Sequence, residues 1–420
     1  MTKNRLLIAG ILLSFLVVSV IADIYYYNKV SLPPEDGPWQ IAYSDFRVFW
    51  TTANDFYLRY ANDPAYGPID RRYAAIYDFK KEFYHFRYSP LVAFAFVPLS
   101  RLPMGLALLV WSVILNLSFA ATILILVYAF SSKGGLNAGK KIAASAIAMV
   151  LAAVFYLNNL ALGQTDIFVT FLLAMFLLAY CRGRDIPAAI AFSLVLQFKP
   201  FFLPALIYLF LSGRRRIVLY TGIALIVSLA IPMVIPGYAR EIFYINGEWV
   251  KMIFGSVQSQ LSNPKNQSLT YMLLNSLGVA GWKIFVYKIS AVFYIIAISG
   301  LLWIKRRSRA GTDPDFCGFE ISVLILISLL FSPLIWKASF VYSVIPVMFA
   351  LFLRMRRDTG GKDYVFLGLY FILTSALGSD ITKKIPVQWL SAFKPLAAGT
   401  VILLVYIAVH YLSGHRRADS

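Results

Sequence analysis

The sequence predicts an all-α integral membrane protein, one polytopic domain over residues 1–420 with about twelve crossings and a large extracytoplasmic segment at 28–103. Three observations carry this. Of the 420 residues, 60% are apolar and only 14% charged, against roughly 45–50% and about 25% in soluble domains. Apolar runs long enough to span a bilayer recur along the chain. The net charge of +19 gathers in alternate loops, as it does when short cytoplasmic loops are basic. A basic nucleic-acid-binding tail is excluded, because 16% of the residues are aromatic. Cys181 and Cys317 cannot build a disulfide framework, and no zinc spacing occurs.

The spans follow in order. Residues 6–27 form a first helix behind Lys3 and Arg5; the run is longer than a signal-peptide h-region and no A-x-A site follows, so it reads as retained. Further spans are expected at 104–130, 142–157, 164–181, 217–236, 284–303, 319–332, 336–353, 364–378 and 394–412. The stretch 186–212 is broken by Lys199-Pro200 and Pro204, since proline forces its predecessor out of the helical region. Arg182 and Arg184 precede it, and Arg214, Arg215 and Arg216 follow it. Two basic flanks on one face mean that the chain rises to Lys199 and returns. One face then carries 20 basic residues against six acids, a net +14, with both termini cytoplasmic.

The opposite face holds the segment 28–103. Its residues 28–87 contain eight acids and eight bases and are rich in Tyr, Phe and Trp. SDFRVFWTTANDFYLRYA, from Ser44, predicts a helix with Ser44 as N-cap and Asp45 in its first turn. Phe46, Phe49, Trp50, Phe56 and Tyr60 make it amphipathic, a form suited to lying on a membrane. DPAYGP (63–68) is a turn, and SPLVAFAFVPLS (89–100) a second short helix, re-entrant or interfacial.

Several short motifs are scattered over most of the chain. They are Ser44-Asp45-Phe46 with Phe49-Trp50; Asp63-Pro64-Ala65-Tyr66; Tyr88-Ser89-Pro90 leading to Pro98-Leu99; Leu162-Gly163-Gln164; Lys199-Pro200 before an arginine loop; Asn266-Gln267-Ser268; and Ser332-Pro333 with Trp336. Their order resembles glycosyltransferase family 87, of the GT-C fold, whose members use polyprenyl-phosphate-mannose. The resemblance implies a GT-C-like bundle in the cell membrane and a hexosyltransferase that takes sugar from a polyprenyl-phosphate donor to a glycan or glycolipid acceptor. Two departures exist: Thr165-Asp166 follows the Gly-Gln pair where the family often has Asn, and Lys337-Ala338-Ser339 follows Trp336 where a His is usual. The resemblance therefore speaks for the reaction type more than for mannose.

Such a transfer needs a base for the acceptor hydroxyl and cations for the departing phosphate. Taken alone, Asp45 reads equally as a base or as a first-turn acid favoured by its helix dipole; the resemblance selects the base. Asp166, near the outer end of a span, stands second. Lys199 in an apolar stretch is a functional candidate by default. Lys337, Lys265 and Arg87 join it as phosphate ligands, with snorkelling to lipid headgroups as the other reading. Gln164, Asp166, Asn266, Gln267, Trp336, Tyr66 and His85 are candidates for sugar or acceptor contacts, and Gln164, Asn266 and Gln267 read equally as helix caps or interhelical ties. No carboxylate cluster calls for a metal, and no cofactor is expected. Partners are the lipid-linked sugar, its acceptor and membrane lipids, with no nucleic acid. A transporter or lipid-linked-sugar flippase is the principal rival, because broken helices occur there too.

Overall fold

The computed structural model describes Gly10 and residues 44–58, 86–131, 136–234, 238–260, 266–276, 283–308, 314–333, 335–357, 362–376 and 394–418. The expected first span at 6–27, apart from Gly10, the turn at 63–68 and the site candidates Tyr66, His85 and Lys265 lie outside these residues. Among the described residues the chain is helical, with no strand.

The helices are α1 (Ser44–Leu58), α2 (Pro90–Ser100), α3 (Met104–Phe130), α4 (Ala138–Leu162), α5 (Asp166–Cys181), α6 (Asp185–Phe198), α7 (Pro204–Leu211), α8 (Arg215–Ala230), α9 (Tyr238–Gln260), α10 (Leu269–Ser276), α11 (Lys283–Ser308), α12 (Pro314–Phe331), α13 (Val344–Arg357), α14 (Lys362–Phe371) and α15 (Pro395–Ala418). Among the described residues six stretches are long and apolar enough to cross a membrane: Met104–Phe130, Ala138–Leu162, Arg215–Val234, Lys288–Arg306, Lys337–Arg356 and Pro395–Leu412. Helices α2, α5, α6 and α7 are apolar but shorter. Their outer neighbours expose Leu109, Leu117, Ile226 and Ile295, the surface expected of a bundle whose solvent is lipid.

Helix α12 is the centre of the bundle. Every residue from Phe316 to Ser332 is buried, which is why its sequence shows no amphipathic stripe. A Cβ on Gly318 would come within 2.7 Å of the Phe349 ring, so glycine there allows α13 to press close.

The two ends of the bundle differ chemically. Helix α5 has 16 residues and so extends about 24 Å. At its start Asp166 pairs with Lys199. At its finish the Arg214 guanidinium lies 4.9 Å from the centre of the Tyr180 ring. The chain therefore does rise to Lys199 and return, as its flanking arginines predict. At the Arg214 end Tyr180 and Lys305 both hold Glu320. Arg356 reaches Asp315 and the Phe130 carbonyl, while Lys140 Nζ donates to the Met355 carbonyl at 3.2 Å. The basic loops around 140, 182, 214, 305 and 356 thus share one end, and the ends of α4 and α6 that lead to Gln164 and Lys199 share the other.

Three elements differ from expectation. The apolar side of α1 does not face outward: Phe46 and Phe49 are fully buried, and Phe49 stacks on Phe96 of α2 at 4.8 Å. Protein covers Phe46 and Phe49, the start of that stripe. Helix α9 falls between two expected spans, where the sequence reading assigned no element. Its charges Arg240, Glu241, Glu248 and Lys251 keep it from registering as a span, while Tyr238, Ile245 and Met252 are buried. The expected span at 336–353 opens instead with seven residues of 3-10 helix, Lys337–Ser343, a length uncommon for that geometry and often a mark of a functional segment.

Candidate active site

The site forms where α4 turns into α5. Helix α4 ends at Gly163, whose φ of 64° is left-handed and suits glycine at a helix C-terminus. Its amide and that of Gln164 return to Leu160 and Asn159 carbonyls at 3.1 and 3.0 Å. The Trp111 indole donates to the Gly163 carbonyl at 3.0 Å, and a Cβ on Gly163 would stand 2.5 Å from Cβ of Phe46. The turn is therefore clasped between α3 and α1. That clasp carries Gln164 to Asp45, whose Oδ2 accepts a hydrogen bond from the Gln164 amide.

Burial raises the Asp45 pKa above that of an ordinary aspartate; the Gln164 hydrogen bond and the nearby Lys199 and Arg87 charges pull it down, and Asp166 pushes it up. The net rise puts its basicity closer to neutrality, where a general base works best.

Asp166, in the first turn of α5, is fully buried, and its Oδ1 is 2.8 Å from Nζ of Lys199. The Tyr342 hydroxyl donates to the same oxygen. Oδ2 of Asp166 has no hydrogen-bond partner among the described residues, a costly state for a buried carboxylate oxygen. Lys199 reaches this place because α6 stops before Pro200: its φ of −138° and ψ of 81° are the extended conformation that a following proline imposes. The ammonium also faces the Tyr88 ring, 5.5 Å from its centre. Ser89, next in the chain, fastens that segment to α6 through its amide and the Gln197 carbonyl at 3.3 Å.

Asp45, Gln164, Asp166, Lys199 and Arg87 thus belong to one electrostatic cluster. Lys337, Trp336, Asn266 and Gln267 form a second group. Asn266 donates to the Pro333 carbonyl at 2.8 Å and accepts from the Ser268 and Ile335 amides at 3.1 and 3.3 Å. The Gln267 amide bonds to the Ile335 carbonyl at 2.8 Å. These bonds hold the segment of chain that enters the 3-10 helix. Lys337 opens that helix and Tyr342, which reaches Asp166, lies near its end, about 10 Å further along the helix axis. The Asn159 amide donates to the Ala338 carbonyl at 2.9 Å, which secures the 3-10 helix against α4.

Tyr342 and the Tyr88 ring were not among the candidates. One tyrosine among 26 carries no local sign of a charged partner, and only the fold brings these two to a charge. Among the described residues no group of three His, Cys, Asp or Glu gathers to hold a metal.

The family model of glycosyltransferase family 87 matches residues 86–333. That interval contains Arg87, Gln164, Asp166, Lys199, Asn266 and Gln267, and it begins after Asp45. A search of curated proteins finds no match. With more than half of its length matched, on a helical bundle whose helices can cross a membrane, the chain belongs to glycosyltransferase family 87 and is a membrane glycosyltransferase.

Proposed function

We propose that the protein transfers a hexose, mannose in the reading closest to the family resemblance, from a polyprenyl-phosphate donor to a glycan or glycolipid acceptor at the extracytoplasmic face. Asp45 is the general base. It takes the proton of the acceptor hydroxyl as that oxygen bonds to the anomeric carbon, while the bond from that carbon to the phosphate oxygen breaks and its electron pair leaves with the polyprenyl phosphate. One displacement inverts the anomeric centre and needs no covalent intermediate, as in inverting glycosidases.

The observation that carries this reading is the Asp45 carboxylate, held by Gln164 within electrostatic reach of Lys199 and Arg87. A base needs orientation, and the Gln164 amide supplies it. Cations near the leaving phosphate stabilise the charge that develops there. An ammonium has three donors; the Asp166 bond uses one, and Lys199 has further donors to offer a phosphate oxygen. Lys337 and Lys265 extend the same role along the donor. Asp166, with Oδ1 committed to Lys199 and Tyr342, serves less well as a base and better as an acceptor for a sugar hydroxyl through Oδ2. Trp336, Tyr66, His85 and Gln267 complete the sugar and acceptor contacts. The scheme calls for no metal or cofactor.

In this reading the basic end is cytoplasmic and the chain lies in the cell membrane with about twelve crossings and both termini inside. Residues 28–103 are then the extracytoplasmic segment that presents Asp45. The test is an assay offering several polyprenyl-phosphate sugars to detergent-solubilised protein. Sugar transfer by the native chain, lost with Asp45→Asn at equal folded amount, is the expected result. Full transfer by Asp45→Asn removes the base, and no transfer from any donor in the absence of a gradient favours a transporter.

A further inference from the structure

We propose that the basic end of the bundle carries a built site for an anionic phospholipid with a hydroxylated headgroup, distinct from the active site. Five arginines lie at the two turns on either side of the α6–α7 hairpin. Three of them rest on aromatic rings: Arg182 on Tyr128 at 4.3 Å, Arg214 on Tyr180 at 4.9 Å and Arg215 on Phe210 at 5.5 Å. Among the described residues Arg184 and Arg216 rest on no ring. Both line a broad, open cavity of about 370 Å³ between the starts of α6 and α8, together with Asp185, Ile186, Pro187 and Tyr220.

Helix stability does not explain these two arginines, because a cation at a helix start opposes the dipole. Membrane orientation requires positive charge at this end but not a shared cavity. Two guanidiniums facing one space suit a phosphodiester, which arginine binds through paired N–H donors. Tyr220 and Asp185 add a hydroxyl and a carboxylate, partners for the free hydroxyls of a glycerol headgroup.

The walls continue the match. Helices α6 and α8 pack side by side. From Arg216, the same face of α8 presents Tyr220, Ile223 and Val227, at spacings of three and four residues; on α6, Ile190 follows Ile186. Ile186, Ile190, Ile223 and Val227 are all exposed. From Arg216 to Val227 this face runs about 16 Å toward the middle of the bundle, an apolar track below a cationic head. Charge above and exposed hydrocarbon below fit a lipid and not a soluble phosphate ester. Basic pockets between membrane helices commonly take such headgroups.

The experiment uses the full chain in detergent, with dioleoyl-phosphatidylglycerol or dioleoyl-phosphatidylcholine added, and reads lipid retention by native mass spectrometry and the thermal midpoint. The native protein is expected to retain phosphatidylglycerol selectively and to melt higher with it. Arg184→Gln with Arg216→Gln should weaken that binding about tenfold or more. Lys141→Gln with Arg306→Gln, which removes equal charge from the same end, should leave it unchanged. Equal weakening by both pairs means diffuse attraction only and overturns the site. So does equal retention of the two lipids by the native chain, or stabilisation by glycerol phosphate alone to the same degree. If the glutamine pair does not fold, Arg184→Lys with Arg216→Lys keeps the charge and removes the paired donors; undiminished selectivity there overturns the site as well.

Discussion

The Lys199 ammonium stands 2.8 Å from Oδ1 of Asp166, and the two side chains are 14% and 0% exposed. This ion pair joins the break after α6 to the first turn of α5, two places that the sequence separates by a full helical hairpin. It also makes each residue hostage to the other, because a lone charge in that environment is costly.

Replacing Lys199 by Met, or Asp166 by Leu, should each destabilise the protein by about 3–5 kcal/mol, since the partner charge is left buried and uncompensated. The double replacement should cost less than the sum of the two, with a coupling of about 0.5–3 kcal/mol. Denaturation of the singles and the double in one detergent measures it; simple additivity would show that the pair is not coupled.

Gly163→Ala should damage activity and stability together. Its φ of 64° costs an L-residue about 1–2 kcal/mol, and the added methyl would meet Cβ of Phe46 at 2.5 Å. The helix carrying Asp45 must then move away from Gln164. The same substitution at Gly183, also at φ 64° but with open space around it, bears the backbone strain alone. Comparing the two variants separates strain from displacement: transfer activity per folded molecule should fall sharply for Gly163→Ala and hold for Gly183→Ala.

Burial leaves the Asp45 carboxyl with a pKa above the ordinary 3.8. The folded protein therefore holds this proton to higher pH than the unfolded chain does. Across that window the native state binds more protons, so the Asp45 contribution to stability is present at low pH and is lost as pH rises through the folded value. Asp45→Asn should remove this dependence and raise the midpoint at neutral pH, while abolishing transfer. The acid limb of kcat/KM, which reports the free enzyme's base, should lie above 3.8 in the native enzyme. An acid limb at or below the ordinary aspartate value would assign the base elsewhere.

Glu320 offers a contrast, a buried carboxylate far from the chemistry. It accepts from the hydroxyls of Tyr180, at 2.7 Å, and Tyr208, and pairs with Lys305 at 3.1 Å, which ties α5, α7, α11 and α12 at the basic end. Glu320→Ala should cost about 3–5 kcal/mol while leaving sugar transfer per folded molecule near that of the native chain. Loss of transfer without loss of stability would place Glu320 in the catalytic machinery.

Much of this architecture was legible in one dimension. The apolar runs predict α3 at its observed limits, 104–130, and α2 within a residue. Charge sidedness and the Lys199-Pro200 break predict that 186–212 doubles back, and the Lys199–Asp166 and Arg214–Tyr180 contacts mark its two ends. Helix α9 was not legible, since its four scattered charges interrupt the hydropathy while its buried face is too sparse to stand out from a loop.

Sequence alone determined most of the helical segments, α9 excepted, and which of them are apolar enough to face lipid, because hydropathy, proline and charge act on a residue through its immediate neighbours and the solvent. Tertiary structure alone decided that Gln164 orients Asp45, that Lys199 and Tyr342 share one oxygen of Asp166, that Asn266 is a tie for the 3-10 segment, and that Arg184 and Arg216 open on one cavity. These depend on close approach between segments distant in the chain. A hydrogen bond acts only within about 3 Å, and no local pattern of residues encodes that distance.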